Sequence, residues 1–267
     1  MLTACLRREE HDDRIAHDVQ LQLLTKLQQR LLADEQTAGG AKPPRRLALG
    51  LEMFERDVQG AMDEYLAGPQ HLFAHACCPL SSSRPRHLPS INTAALTARW
   101  LRSGHIREED FLEAARPWGN YQTDYRPLVE FCREHGAAVL ASNAPRRHVA
   151  MVGRGGAEAL AALPRDSQRW LPPLPIRPCS AEYREAWMET MRQTMRQRQE
   201  GVEGGGCPAV AAAQPDPKRL ELMLQAQGLW DATMADTLGR HCRKAAGAGE
   251  RALVLHVNGS FHSRGGR

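Results

Sequence analysis

The chain has 267 residues, of which 42% are apolar and 25% charged, and a formal net charge of +4 with eleven histidines counted as neutral. That length can bury a full core as one large domain, and so mild a charge, with 5% aromatics, gives no footing for a nucleic-acid binder. No apolar run approaches the roughly 18 residues that a membrane span needs, and the seven cysteines show no CxxC pair, which fits free thiols in a reducing compartment.

At the start, Leu2-Thr3-Ala4-Cys5 looks like the box before a lipidated cysteine, but neither a basic segment nor an apolar stretch precedes it. Met1 to Arg7 is a poor strand. Beyond Glu9-Glu10-His11-Asp12-Asp13, the residues Ile15, Val19, Leu23, Leu27 and Leu31 recur every four positions and predict an amphipathic helix. Asp12 and Asp13 suit its cap and first turn. His11, beside two carboxylates, is a candidate proton carrier or ligand, or an incidental surface residue.

After a Gly/Pro/Arg loop at 34 to 46 comes LALGLEMFERD, from Leu47 to Asp57. Its apolar start reads as a short buried strand that ends on the carboxylate Glu52 and turns helical through Phe54, Val58, Met62 and Leu66. A buried strand that delivers a charged residue at its carboxyl end is how open α/β sheets place functional groups. Pro69 to about Pro89, rich in Ser, Pro, Arg and His, reads as an insertion. Helices are expected near 91 to 102 and 106 to 115.

In WGNYQTDYRP, Thr123 or Asp124 can cap a helix with Pro127 in its first turn, and Gly136 ends it. Ala137 to Ala141 is a second buried strand. It runs into Ser142-Asn143-Ala144-Pro145-Arg146-Arg147, where two arginines at a helix start could receive a carboxylate or phosphate, or could simply be exposed. An alanine-rich helix and a proline-rich loop follow. Ser180 then caps a long helix with the stripe Tyr183, Trp187, Met191 and Met195, read as core packing or as an adaptable apolar pocket. Gly201 to Pro217 is a second low-complexity insertion.

The helix from about Lys218 to Lys244 places Gln227 on its apolar face and Asp231 at the edge. Buried polar groups need partners, so this pair favours a site over packing. ALVLHV, Ala252 to Val257, is the third buried strand, ending in Asn258-Gly259-Ser260-Phe261-His262. Helices between strands imply parallel pairing with right-handed crossovers. The expected fold is therefore α/β, a mostly parallel central sheet flanked by helices, with low-complexity insertions near 69–90 and 201–217. Glu52, Asn143 with Arg146, and His262 should gather at one sheet edge. The weak first strand and the lack of a closing helix suggest a single domain over 1–267 that is truncated at both ends.

Six stretches in order carry a family likeness: EEHDDRIAH, LALGLEMFERD, PWGNYQTDYRPLVEF, ASNAPRRHVAMVGRGG, QAQGLWDATMAD and NGSFHSRGGR. With them the chain resembles the ChaN-like haem-binding family (haem-binding uptake, Tiki superfamily). The resemblance implies haem bound between the protomers of a homodimer with tyrosine on the iron, so Tyr125 and Tyr121 are the candidate ligands. Tyr125 is preferred because a helix N-terminus supports a phenolate. Arg146 and Arg147 would suit the propionates. Arg8 stands where the family usually has glycine before its histidine. Related branches of the superfamily look like hydrolases, which gives an alternative: a metal-dependent or Glu/His hydrolase with Glu52 as base and His11 or His262 as acid, base or metal ligand. A chloroplast or cytoplasmic location is expected, without a transit peptide to support the former.

Overall fold

The computed structural model of the chain describes residues 3–5, 13–37, 43–67, 106–200, 216–259 and 262. His11, the insertion near 69–90, the helix near 91–102 and nearly all of the tract near 201–217 lie outside the described residues. Four parallel strands, β1 (Thr3–Cys5), β2 (Arg45–Glu55), β3 (Ala138–Asn143) and β4 (Arg251–Val257), form one sheet in the order β1-β4-β2-β3. The chain's poor first segment thus does form a short strand, paired with β4 from Thr3 opposite Val254 to Cys5 opposite His256. Leu49 sits opposite Val139 on one side and Leu255 on the other, so all strand ends share one carboxyl edge.

Alternation along β2 divides the two faces. Leu47, Leu49, Leu51 and Met53 enter the main core with Leu24 and Leu31 of α1 (Arg14–Thr37) and Leu128, Val129 and Cys132 of α4 (Arg126–His135). The same core takes Met62 and Tyr65 of α2 (Gln59–Leu66) and Phe111 of α3 (Glu108–Ala115). Each such side chain, fully buried, contributes about 1.5–3 kcal/mol. The opposite face carries small residues, Ala48 and Gly50, under the long helix α7 (Pro217–Gly247). A Cβ on Gly50 would stand 2.8 Å from the His256 ring and 2.9 Å from Leu238, so glycine is what lets helix and ring approach. Two further helices, α5 (Arg146–Gly155) and α6 (Ala181–Glu200), pack against α7. The expected α/β architecture is what the chain adopts.

Two local expectations are corrected. The four-residue stripe of α1 does not all face inward: Ile15 is 75% and Val19 48% exposed, while His17, Gln20, Leu24 and Leu31 are buried. A strict four-residue repeat drifts about 40° around the helix per step, so Ile15 lies about 160° from Leu31 and cannot share its face. Neither Thr123 nor Asp124 caps α4. Residues Tyr121–Tyr125 form a π-helical turn that leads straight into it, with Tyr125 at the N-cap position. Asp124 instead accepts the Asn120 amide at 2.8 Å, and Thr123 donates to the Asn120 carbonyl at 3.1 Å.

Candidate functional site at the carboxyl edge of the sheet

The regular ladder of β2 with its neighbours runs as far as Leu51, and the register with β3 then shifts before Glu55 pairs with Asn143. Glu52 is therefore the first residue past regular pairing, which turns a strand residue into a site residue. Its Oε2 accepts the Gly259 backbone N–H at 2.7 Å, and its Oε1 lies 3.1 Å from His262 Nε2. On the other side of the ring, His262 Nδ1 lies 2.6 Å from Asp231 Oδ1 and 2.9 Å from the Gln227 amide. Asp231 Oδ2 accepts the Tyr183 hydroxyl at 2.7 Å. The ring is also edge-on to Trp230, with centroids 6.2 Å apart. One strand, β2, and one helix, α7, thus meet on the imidazole, and α6 is joined to it through Asp231.

Electrostatics here follow from those contacts. Burial on its own would lower the His262 pKa, but the hydrogen bonds to Asp231 and Glu52, and then their charges, lift it to about 9. At neutral pH the ring is an imidazolium that donates from Nδ1 to Asp231 and from Nε2 to Glu52, so the Gln227 amide nitrogen, itself a donor, is a close neighbour of Nδ1 and not its hydrogen-bond partner. With a carboxylate on each nitrogen, His262 can act as a proton donor. Among the described residues, no group of three or more His, Cys, Asp or Glu is arranged to hold a metal ion. The Tyr183 phenol is pushed above its usual pKa, first by burial and then by the Asp231 charge, so it remains a donor.

Nearby, Arg56 ties the strand edge to α7. It donates to the Thr233 carbonyl at 2.6 Å, to Thr237 Oγ1, to the Leu171 carbonyl at 3.1 Å and to Asp236 at 3.0 Å. His256 lies beneath, its Nε2 3.2 Å from the Ser142 hydroxyl, which donates to the Leu51 carbonyl. A cleft of about 300 Å³ lined by Arg45, Cys242, Glu250 and Arg251 opens instead at the amino ends of β2 and β4, away from this chemistry.

The structure thus brings Glu52 and His262 together and adds Gln227 and Asp231, the polar pair that the helix pattern singles out. The tyrosines are elsewhere, on the opposite face of the sheet. Tyr121 and Tyr125 are 2% and 1% exposed within the main core. Tyr121 packs edge-on against Phe54 and Phe111, and its hydroxyl has no hydrogen-bond partner among the described residues. The Tyr125 ring lies 4.5 Å from His17 and 5.8 Å from Trp118. Arg146 and Arg147 do start α5, both exposed, and each faces a carboxylate: Arg146 pairs with Glu55 at 3.3 Å and Arg147 with Asp57. Tyr183 and Arg56 escape a sequence reading. Tyr183 hides in an apolar stripe whose only polar signal is its own hydroxyl, and Arg56 looks like one more charge at a strand end.

The sequence matches the family described as haem-binding uptake, Tiki superfamily, ChaN, over residues 8–267. No curated protein matches it significantly. Among solved structures it is similar to one described as cofacial haem binding to ChaN of Campylobacter jejuni, at 14% identity and a TM-score of 0.50, with 96% of this chain and 70% of that chain covered. At that identity the likeness shows the fold, which is the α/β arrangement described above. Because the family match spans nearly the whole chain, this protein belongs to the ChaN haem-binding uptake family of the Tiki superfamily.

Proposed function

We propose that this protein binds haem for haem or iron handling, with a tyrosine of the Tyr121–Tyr125 turn on the iron. The observation that carries the reading is the Tyr121 hydroxyl. It is buried in an aromatic layer without a partner among the described residues, and leaving such a group unsatisfied costs about 1–3 kcal/mol. A ligand that takes this oxygen removes the deficit. The ring surfaces of Phe54, Phe111 and Trp118 supply the apolar contact a porphyrin needs. Burial pushes the Tyr121 phenol above its usual pKa, so ligation depends on the ferric charge to displace the proton. Tyr125, at the N-terminal end of α4, is the second candidate and has the helix dipole in its favour. When bound, haem would supply the redox-active iron; the chain supplies the phenol, the apolar walls and, at Arg146 and Arg147, cations for the propionates. Reaching either phenol requires movement of the half-buried Trp118 or its neighbours, and a second protomer could complete the apolar enclosure. Hemin titration with a size measurement tests both parts. Soret absorbance should rise to saturation and the hydrodynamic mass should double; no Soret band would end the haem reading, and a monomer with saturated haem would end the dimer.

A second reading is favoured by one observation, the contact of His262 with Glu52 and Asp231. It is acid–base hydrolysis with His262 as proton donor and Glu52 as acceptor. Turnover of a neutral aryl ester that disappears in Glu52→Gln supports it, and no turnover by the wild type removes it. Among the described residues no helix is long and apolar enough to cross a membrane.

A further inference from the structure

A chain of direct contacts runs from β2 across α7 to α6: Glu52 to His262 at 3.1 Å, His262 to Asp231 at 2.6 Å, and Tyr183 to Asp231 at 2.7 Å. The His262 side chain is 8% and that of Glu52 10% exposed, so water does not screen the inner half of this chain. The haem reading uses none of these groups. We propose that the α6–α7 helix pair is the second half of the strand-edge site, with Asp231 and Tyr183 as positioning residues that hold the His262 ring against Glu52. The proposal rests on the acid–base reading of Glu52 and His262.

The physical reason lies in the two oxygens of Asp231. An aspartate carboxyl turns broadly about its last torsion, so a lone carboxylate beside a histidine holds the ring loosely. Here Tyr183 occupies Oδ2 and leaves Oδ1 for Nδ1. With Nδ1 fixed, the ring plane is fixed, and Nε2 can point only at Glu52. A base or acid oriented by a third group is the arrangement that proton-transfer sites use. Among the described residues, the titratable groups that face the ring are Glu52 and Asp231, with Tyr183 acting through Asp231. Two carboxylates around one imidazolium leave the cluster with one net negative charge. Such a site favours a neutral, proton-accepting oxygen and repels carboxylates.

The test is a pH titration of the His262 ring by NMR in the full chain with labelled histidine, assigned by the signal lost in His262→Gln. Wild type, Asp231→Asn, Tyr183→Phe and the double variant are compared, with thermal melts to establish that each is folded. The wild-type midpoint is expected near 9. Asp231→Asn should lower proton affinity roughly tenfold or more. Tyr183→Phe should shift the midpoint in the wild-type background and leave it unchanged in the Asp231→Asn background, the mark of action through Asp231. An unshifted midpoint in Asp231→Asn, or an equal Tyr183→Phe shift in both backgrounds, overturns the proposal. The ester assay on Glu52→Gln reports on the acid–base reading alone, so the two can fail separately.

Discussion

The two faces of the sheet treat a tyrosine in opposite ways, one half-buried and bonded, the other fully buried. Toward α7, Tyr183 gives its hydroxyl to Asp231, which is joined in turn to His262 and Glu52. Toward α1 and α4, Tyr121 sits in a layer of aromatic rings, and its hydroxyl has no partner among the described residues. One phenol is therefore tied into a polar chain, whereas the other lies among rings with no acceptor described beside it.

The largest way to break this contrast is at Arg56. Arg56→Met removes charge-assisted bonds to Asp236 and to the Leu171 and Thr233 carbonyls, which keep Arg240 and Thr237 as donors, and should cost about 3 kcal/mol in denaturant unfolding. Phe111→Ala, on the aromatic face, should cost a similar ~3–5 kcal/mol by leaving a cavity. Equal losses by different routes would show that both faces hold the fold, so that the difference between them concerns function.

Next is pH. The folded pKa of His262 is raised from 6.5 to about 9, so its stabilising contribution is fully present below pH 6.5 and is lost as pH rises through 9. The loss is about 3 kcal/mol at most. His148 and His241, held below the usual range chiefly by burial, act in the opposite direction, with stability gained as pH rises. The difference between wild-type and His262→Gln melting curves from pH 6 to 9.5 isolates the term, and it should shrink steadily across that range.

Gly50→Ala comes third. Its Cβ would meet His256 and Leu238 closer than carbon atoms pack, so overpacking of about 1–3 kcal/mol is expected, with α7 pushed off the strand edge. Smallest in stability and most telling in contrast are the two phenols. Tyr183→Phe should cost about 1 kcal/mol by breaking a hydrogen bond to a half-buried carboxylate. Tyr121→Phe should lie within about 0.5 kcal/mol of wild type, because no bond is lost. A Tyr121→Phe loss as large as that of Tyr183→Phe would show that the hydroxyl is engaged and would remove the contrast.

Much of this was legible in the chain because the apolar runs are short, bounded and separated by helical patterns. The three main strands fall near Leu47–Glu52, Ala137–Ala141 and Ala252–Val257, but β2 runs on to Glu55, so Phe54, expected to be helical, is a strand residue. Gln227 and Asp231 stood out because polar residues on an apolar helix face need an explanation. Tyr183 did not, since a tyrosine in a Met/Trp stripe looks apolar until its partner is known. Over the first half of α1 the four-residue spacing does not mark the buried face, because the repeat drifts around the helix and leaves Ile15 and Val19 exposed. The π-helical turn at Tyr121–Tyr125 has no composition signal, for Thr123, Asp124 and Pro127 spell an ordinary capped start.

The most direct test of the haem assignment is the phenolate-to-iron charge-transfer band of the ferric complex, read in wild type, Tyr121→Phe and Tyr125→Phe. The account predicts a band in the wild type that is lost in Tyr121→Phe or, if the helix N-terminus decides, in Tyr125→Phe. A ferric complex whose band is the same in all three proteins, or absent from the wild type, would contradict tyrosine ligation from this turn.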